Sequence, residues 1–396
     1  MATSLLLEAG VVFTILAIAG SLAWWVGQSV IPAYLVAGIL VGPYGLEVAG
    51  VSLRLVERSE FIDLFAELGL VFLLFFIGVE FSLSRLLETP GRVLRAGGVD
   101  LVVNVGIGLG LGLAFGYSVA ESLFIAAIIY PSSSAVITKS LIDLGWIADP
   151  ESEPIMTVLI FEDVVMAIFL VVLTVIALGQ APAEALVSAG EAMLLLVLFA
   201  LLAVYGSGLV ERAFGIRSDE LFLLRVVGLT ALLAGLALTQ GVSEAVAAFF
   251  IGGAVSESDL KARLEHLISP ARDLFASVFF FAIGLSTNLA IISGAGLLLV
   301  VGILASIASK ALTGYVGGRS YALDRRRSIR VAMAMVTRGE FSLVVAALTV
   351  SYGAMTNSAV IQSFAVGYVL VMSILGTLLM RYSEEIAGFG LRRASG

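Results

Sequence analysis

Long apolar runs, each closed by a short cluster of charge, glycine or proline, divide the sequence into thirteen stretches of helix length: 6–26, 30–42, 61–82, 92–117, 121–144, 154–178, 184–210, 218–239, 243–256, 271–286, 291–317, 328–352 and 358–382. Most reach the ~20 residues that carry a helix across a bilayer. The pattern predicts an all-α polytopic membrane protein of about 13 transmembrane helices.

Composition agrees with that class. Of 396 residues, 60% are hydrophobic and 13% charged, with a mean hydropathy of +1.09, far from a soluble domain. Lys and Arg then test the helix count. Seventeen of the 22 fall on alternate connections, in clusters at 85–95, 212–225, 261–272, 319–330 and 381–393, against Arg54 and Arg58 on the other side. The positive-inside rule therefore expects the N-terminus outside and the C-terminus in the cytoplasm of a cell-membrane protein. The first run, Leu5 to Val26, is preceded by no Lys or Arg and shows no clear cleavage site, so it is expected to remain as a helix. Cysteine is absent, which excludes disulfides, thiol catalysis and Cys-ligated metal. The one histidine, His266, falls in a charged connection and is expected to be a solvated loop residue.

Charge inside the apolar runs is the next signal. Glu162 and Asp163 sit in the middle of 154–178, where an ionisable group costs roughly 2.5–3.5 kcal/mol to insert. That cost points to an ion or proton site; the bland alternative is a pair near the interface that snorkels. Two segments carry interruptions. One reads Tyr130-Pro131-Ser132-Ser133-Ser134, where proline removes a backbone donor and hydroxyls offer replacements. The other reads Thr337-Arg338-Gly339-Glu340-Phe341-Ser342. At an offset of 206, Ser132 falls on Arg338 and Leu74 to Val79 falls on Phe280 to Leu285, while Ala37 to Gly42 resembles Ala247 to Gly252 at 210. The matches lie seven helices apart, so the halves insert in opposite directions. This is the inverted repeat of many secondary transporters, with a site near the midplane. Broken helices expose half-helix ends that bind ions, and such backbone is tolerated beside a cavity. A simple proline kink and an Arg338–Glu340 ion pair are the bland alternatives. Lys310 lies at a depth similar to Asp163 and Arg338, the condition for pairing, while Lys139 sits near a helix end and is expected to snorkel. Asn104, the repeat mate of Lys310, is expected to line the same cavity or to bond between helices.

At these residues the sequence resembles the monovalent cation:proton antiporters of the second cation-proton antiporter group, which includes Kef-type and Nap-type exchangers. The likeness covers the transmembrane chain and rests on Phe76 to Glu80, Tyr130 to Val136, Phe161-Glu162-Asp163, Lys310 and Arg338-Gly339-Glu340-Phe341. It implies the sodium/proton antiporter fold, with broken helices 5 and 12 crossing in a core made of helices 4 to 6 and 11 to 13, and a homodimer formed through the other domain. In this sequence that division corresponds to scaffold segments 1–90 and 181–290, core segments 91–180 and 291–383, and a cytoplasmic tail at 384–396, too short for the nucleotide-binding regulatory domain of many Kef-type proteins. It also implies Asp163 as the cation and proton carboxylate. Where sodium exchangers have Asp-Asp or Asn-Asp and many Kef-type proteins Gln-Asp, this chain has Glu162-Asp163, which leaves substrate and stoichiometry open.

The mechanism expected is competition at Asp163, which holds either a proton or a desolvated cation coordinated with help from Ser132, Ser133 and backbone carbonyls. Glu162 joins that site; Lys310, Arg338 and Glu340 compensate charge or carry a proton; Asn104, Tyr130 and Pro131 line the cavity. Sodium is placed first and potassium second. No cofactor, nucleic acid or enzymatic reaction is expected; the partners are the cation, the proton, the lipid bilayer and a second copy of the chain. A sodium-coupled organic-anion symporter is the alternative and would need a larger polar cavity. An intramembrane aspartyl protease would commonly carry Gly-x-Gly-Asp, which is absent, and a lysine–carboxylate pair suits a fast channel poorly.

Overall fold

The protein was analysed as a computed structural model that describes residues 5–45, 47–48, 51–52, 54–57, 59–80, 90–177, 190, 194, 212, 214–239, 244–256, 258–288, 295–351 and 355–392. The described residues are overwhelmingly helical. In chain order the helices are α1 (Leu5–Trp25), α2 (Val30–Val41), α3 (Glu60–Glu80), α4 (Pro90–Ala114), α5 (Val119–Ile129), α6 (Ser134–Asp143), α7 (Ser152–Ala177), α8 (Asp219–Thr239), α9 (Glu244–Ser256), α10 (Lys261–Leu285), α11 (Gly296–Ser320), α12 (Arg325–Ala334), α13 (Glu340–Ser351), α14 (Ser358–Arg381) and α15 (Ser383–Arg392). A two-residue hairpin, Glu47–Val48 with Val51–Ser52, follows α2. The segment expected at 184–210 falls almost wholly outside the described residues.

Contacts divide the chain into two compact units, one of residues 1–18, 36–83 and 167–286, the other of 19–35, 84–166 and 287–396. The repeat is visible inside each. In the first unit, Gly78 of α3 abuts the Phe249 carbonyl of α9 and Gly252 of α9 abuts the Phe75 carbonyl of α3. The mates of these helices, α10 and α2, cross in the same way, with Gly38 against the Phe281 carbonyl and Gly42 against Leu285.

In the second unit the correspondence holds residue by residue at the offset of 206. Gly108 and Gly112 of α4 pack on Ala126 and Ser122 of α5; Gly314 and Gly318 of α11 pack on Ala332 and Ser328 of α12. A Cβ at Gly314 would meet Ala332 Cα at 2.8 Å, and one at Gly318 would meet Ser328 Cα at 2.8 Å, so only glycine admits these approaches. The turns that feed the helices are copies too. Gly116, with φ +83°, precedes N-cap Ser118 of α5, and Ala322, with φ 59°, precedes N-cap Asp324 of α12. Ser118 Oγ accepts from the Glu121 amide at 3.2 Å, and Asp324 Oδ1 accepts from the Arg327 amide at 2.8 Å.

Both interruptions are real. α5 stops at Ile129 and the chain resumes as α6 at Ser134; α12 stops at Ala334 and resumes as α13 at Glu340. The half-helices of the two breaks thus begin 206 residues apart and end at that offset to within two residues.

Three features depart from the apolar pattern. The tenth segment begins at Lys261, not near 271, and runs through Pro270. Its first turns are polar, so hydropathy does not register them, and His266 is exposed on that helix rather than in a loop. The expected tail instead contains α15, a short helix with Glu384 and Glu385 in its first turn. The twelfth segment starts three residues early, at Arg325, because Asp324 caps it.

Candidate functional site

The two breaks meet. The Ser133 amide donates to the Thr337 carbonyl at 3.0 Å, Ser132 Oγ donates to the Met335 carbonyl at 3.0 Å, and Arg338 Nε donates to the Ile129 carbonyl at 3.1 Å. Ile129 and Met335 are repeat mates, as are Ser132 and Arg338, so each break gives a donor to the stump of the other. This reciprocal bonding satisfies backbone groups that a broken helix would otherwise bury unpaired.

Charge is distributed to match the half-helix ends. Arg338, fully buried, also reaches the carbonyls of Met335, Val336 and Thr337 at 2.9, 3.2 and 3.1 Å, gathering the negative ends of α5 and α12. Its remaining bonds go to Tyr368 Oη at 3.0 Å, Ser306 Oγ at 2.9 Å and Ser132 Oγ at 3.4 Å. Glu340 lies at the opposite pole, where its carboxylate accepts from Ser133 Oγ at 2.6 Å and the Ala135 amide at 3.2 Å across the N-terminus of α6. Arg338 and Glu340 thus serve different half-helices, an arrangement distinct from the simple ion pair weighed above.

The adjacent acids of α7 face different surroundings. Glu162 is fully buried; its carboxylate accepts from Lys310 Nζ at 2.5 Å, from the Ser132 amide at 2.5 Å and from Ser132 Oγ at 3.1 Å. Asp163, 7% exposed, accepts from Ser134 Oγ at 3.3 Å in the first turn of α6, beside Ala135, which is exposed. Tyr130 and Pro131 are buried in the break, and Lys310 Nζ stands 5.2 Å above the Tyr130 ring.

Lys310 has a second carboxylate that the sequence reading did not single out. Asp100 of α4 accepts from Lys310 Nζ at 2.7 Å, from Thr313 Oγ1 at 2.5 Å and from Asn104 Nδ2 at 2.9 Å. Asn104 does not face open space; its other side-chain atom accepts from Ser309 Oγ at 2.7 Å. The signal for Asp100 was present: an acid within an apolar run, one helical turn before Asn104. Ser306, Thr313 and Tyr368 were also passed over, being uncharged and ordinary in a membrane helix, and Ser134 was read only as one of the hydroxyls of the break. Lys139 is exposed and pairs with Asp143 at 2.8 Å, away from this network.

A repeated fold whose broken helices cross beside buried acids and a lysine defines a secondary transporter of the cation:proton antiporter class. The chain belongs to the sodium/hydrogen exchanger family, whose transmembrane description it matches over residues 11–381. It is 35% identical to the K(+)/H(+) antiporter subunit KhtU of Bacillus subtilis (strain 168), over 96% of this chain and 94% of that protein. It is 30% identical to the ammonium/H(+) antiporter subunit AmhT of Alkalihalophilus pseudofirmus, over 96% and 94% respectively. Its fold matches the sodium proton antiporter MjNhaP1 of Methanocaldococcus jannaschii with a TM-score of 0.68 at 17% identity, covering 97% of this chain and 99% of that one.

Proposed function

We propose that this antiporter exchanges a potassium-sized monovalent cation for protons by alternate occupancy of Asp163. The observation that carries the assignment is the contrast between the neighbouring acids: Glu162 is held by a buried lysine, and Asp163 lies against the start of the half-helix α6, where Ala135 is exposed. A carboxylate there can hold a proton, or a cation coordinated together with the Ser134 hydroxyl and nearby backbone oxygens, but not both at once. Crossing the membrane with neither bound would bury an uncompensated charge, so only loaded forms move. Ser132 and Ser133 act one step back, orienting Glu162 and Glu340 through the bonds described above.

Potassium is placed ahead of sodium because the relatives named for K(+) and ammonium share 35% and 30% of their residues with this chain, and those two cations are close in size. The reading also includes a homodimer formed through the unit without Asp163, an N-terminus outside and a C-terminus in the cytoplasm, supported by the family likeness and the arginine asymmetry.

The test is proton movement in proteoliposomes containing a pH-sensitive dye. Potassium and ammonium should drive proton movement at lower concentrations than sodium or lithium. Asp163→Asn, which keeps the shape but cannot alternate between proton and cation, should lower the rate by at least about a hundredfold. A dye response near that of the unaltered protein in Asp163→Asn would remove Asp163 from its role.

A further inference from the structure

One lysine between two buried carboxylates leaves the cluster one negative charge in excess if all three groups are ionised. The two acids differ in what holds them. Asp100 is fixed by Thr313, one turn beyond Lys310 on α11, and by Asn104, one turn along on α4, which is itself bonded to Ser309 of α11. Its ties therefore lie within a pair of unbroken helices packed together. Glu162 is tied instead to Ser132, inside the break, and Ser132 Oγ has one hydrogen to divide between Glu162 Oε1 at 3.1 Å and the Met335 carbonyl at 3.0 Å. That end of the cluster is tied to the break and not to a continuous helix.

We propose that Asp100 is the standing counter-ion of Lys310, a positioning residue that lets Glu162 leave the lysine and join Asp163 at the cation. Without a second acid, Glu162 could detach only by stranding an ammonium in the membrane, which costs several kcal/mol. With Asp100 in place the lysine stays paired, and the excess charge becomes available to an incoming cation. Among the described residues, the charged or titratable side chains facing Lys310 are Asp100 from α4, Glu162 from α7 and the Tyr130 ring from the break; Arg338 reaches the cluster through Ser132. The inference rests on Asp163 being the exchange site.

A double-mutant cycle on the purified antiporter tests it, reading the potassium concentration that gives half of the cation-dependent rise in melting temperature, which needs no turnover. Asp100→Asn makes Glu162 the lysine's only carboxylate partner and should raise that concentration about tenfold or more. Because Asp100 acts through Lys310, the same substitution in a Lys310→Gln background should change it by less than about twofold. Equal shifts in both backgrounds, or none in either, would overturn the proposal. Should Asp100→Asn not fold, Asp100→Glu carries the first arm: an affinity within about twofold of the unaltered protein supports the role and a tenfold loss sinks it. Asp163→Asn is measured alongside. If it keeps the full potassium response, the exchange-site reading fails whatever Asp100 does.

Discussion

A lysine bonded to two buried carboxylates cannot be neutralised without leaving charge behind, so the consequences of Lys310→Gln separate its possible roles. If Lys310 gives up and regains a proton during the cycle, the variant should keep exchange at a reduced rate and lose its dependence on membrane potential. Current measured in proteoliposomes decides this; unchanged potential dependence with a lowered melting temperature assigns the lysine a purely structural role. A second residue-scale expectation concerns Ala322, which adopts φ 59° where its repeat mate is Gly116. A side chain in the left-handed region costs roughly 1–2 kcal/mol, so Ala322→Gly should stabilise the fold by about 1 kcal/mol, offset in part by greater freedom of the unfolded chain. Thermal unfolding in detergent reads the gain. The charged members of the candidate site were legible because charge in an apolar run is expensive and therefore conspicuous. Glu162, Asp163, Lys310, Arg338 and Glu340 all announced themselves this way. Asp100 did so as well, but it lies only eight residues into its segment, where an acid reads as interfacial. That it faces Lys310 depends on helix rotation, which hydropathy does not encode.

At the scale of elements, the offset of 206 governs more than sequence likeness: caps, left-handed turns, glycine contacts and helix breaks all recur at it. Gly314 and Gly110 make a controlled comparison. Gly314→Ala places a Cβ 2.8 Å from Ala332 Cα and should cost about 1–3 kcal/mol through overpacking. Gly110→Ala, on exposed surface of α4 with nothing within 4 Å, should instead stabilise by up to about 1 kcal/mol through helix propensity. Opposite shifts in melting temperature for the two are the expected result. Helix positions were readable wherever burial in lipid or protein imposes an unbroken apolar run. They were not readable at 261–270 or 383–392, where polar surface covers one side of the helix and tertiary contacts fix it. Thus Arg263 reaches Asp219 at 2.6 Å and Arg326 reaches Glu384 at 2.6 Å, contacts between residues distant in the chain.

For the whole molecule, the arginines expected on one side of the membrane include a bonded cluster at the head of α12. Arg330 binds the buried Glu151 and also Asp149 at 3.3 Å in the α6–α7 connection, stacks 4.5 Å over Trp146, and together with Arg326 holds Glu384 of α15. The hydrogen bond from Arg326, supported by Arg330, keeps the Glu384 carboxyl below the ordinary carboxylate range. A group whose folded value is lowered stabilises above its unfolded value and loses that contribution as pH falls through the folded one. The attachment of α15 should therefore hold at neutral pH and weaken only in acid. This cluster of arginines also offers a test of the proposed topology. The chain contains no cysteine, so Arg326→Cys introduces a single reactive thiol on exposed surface at the start of α12. A membrane-impermeant thiol reagent should label it in inverted vesicles and leave it untouched in intact cells. Labelling from outside intact cells would reverse the orientation of every helix, and with it the assignment of the Arg319 to Arg330 cluster to the cytoplasmic face.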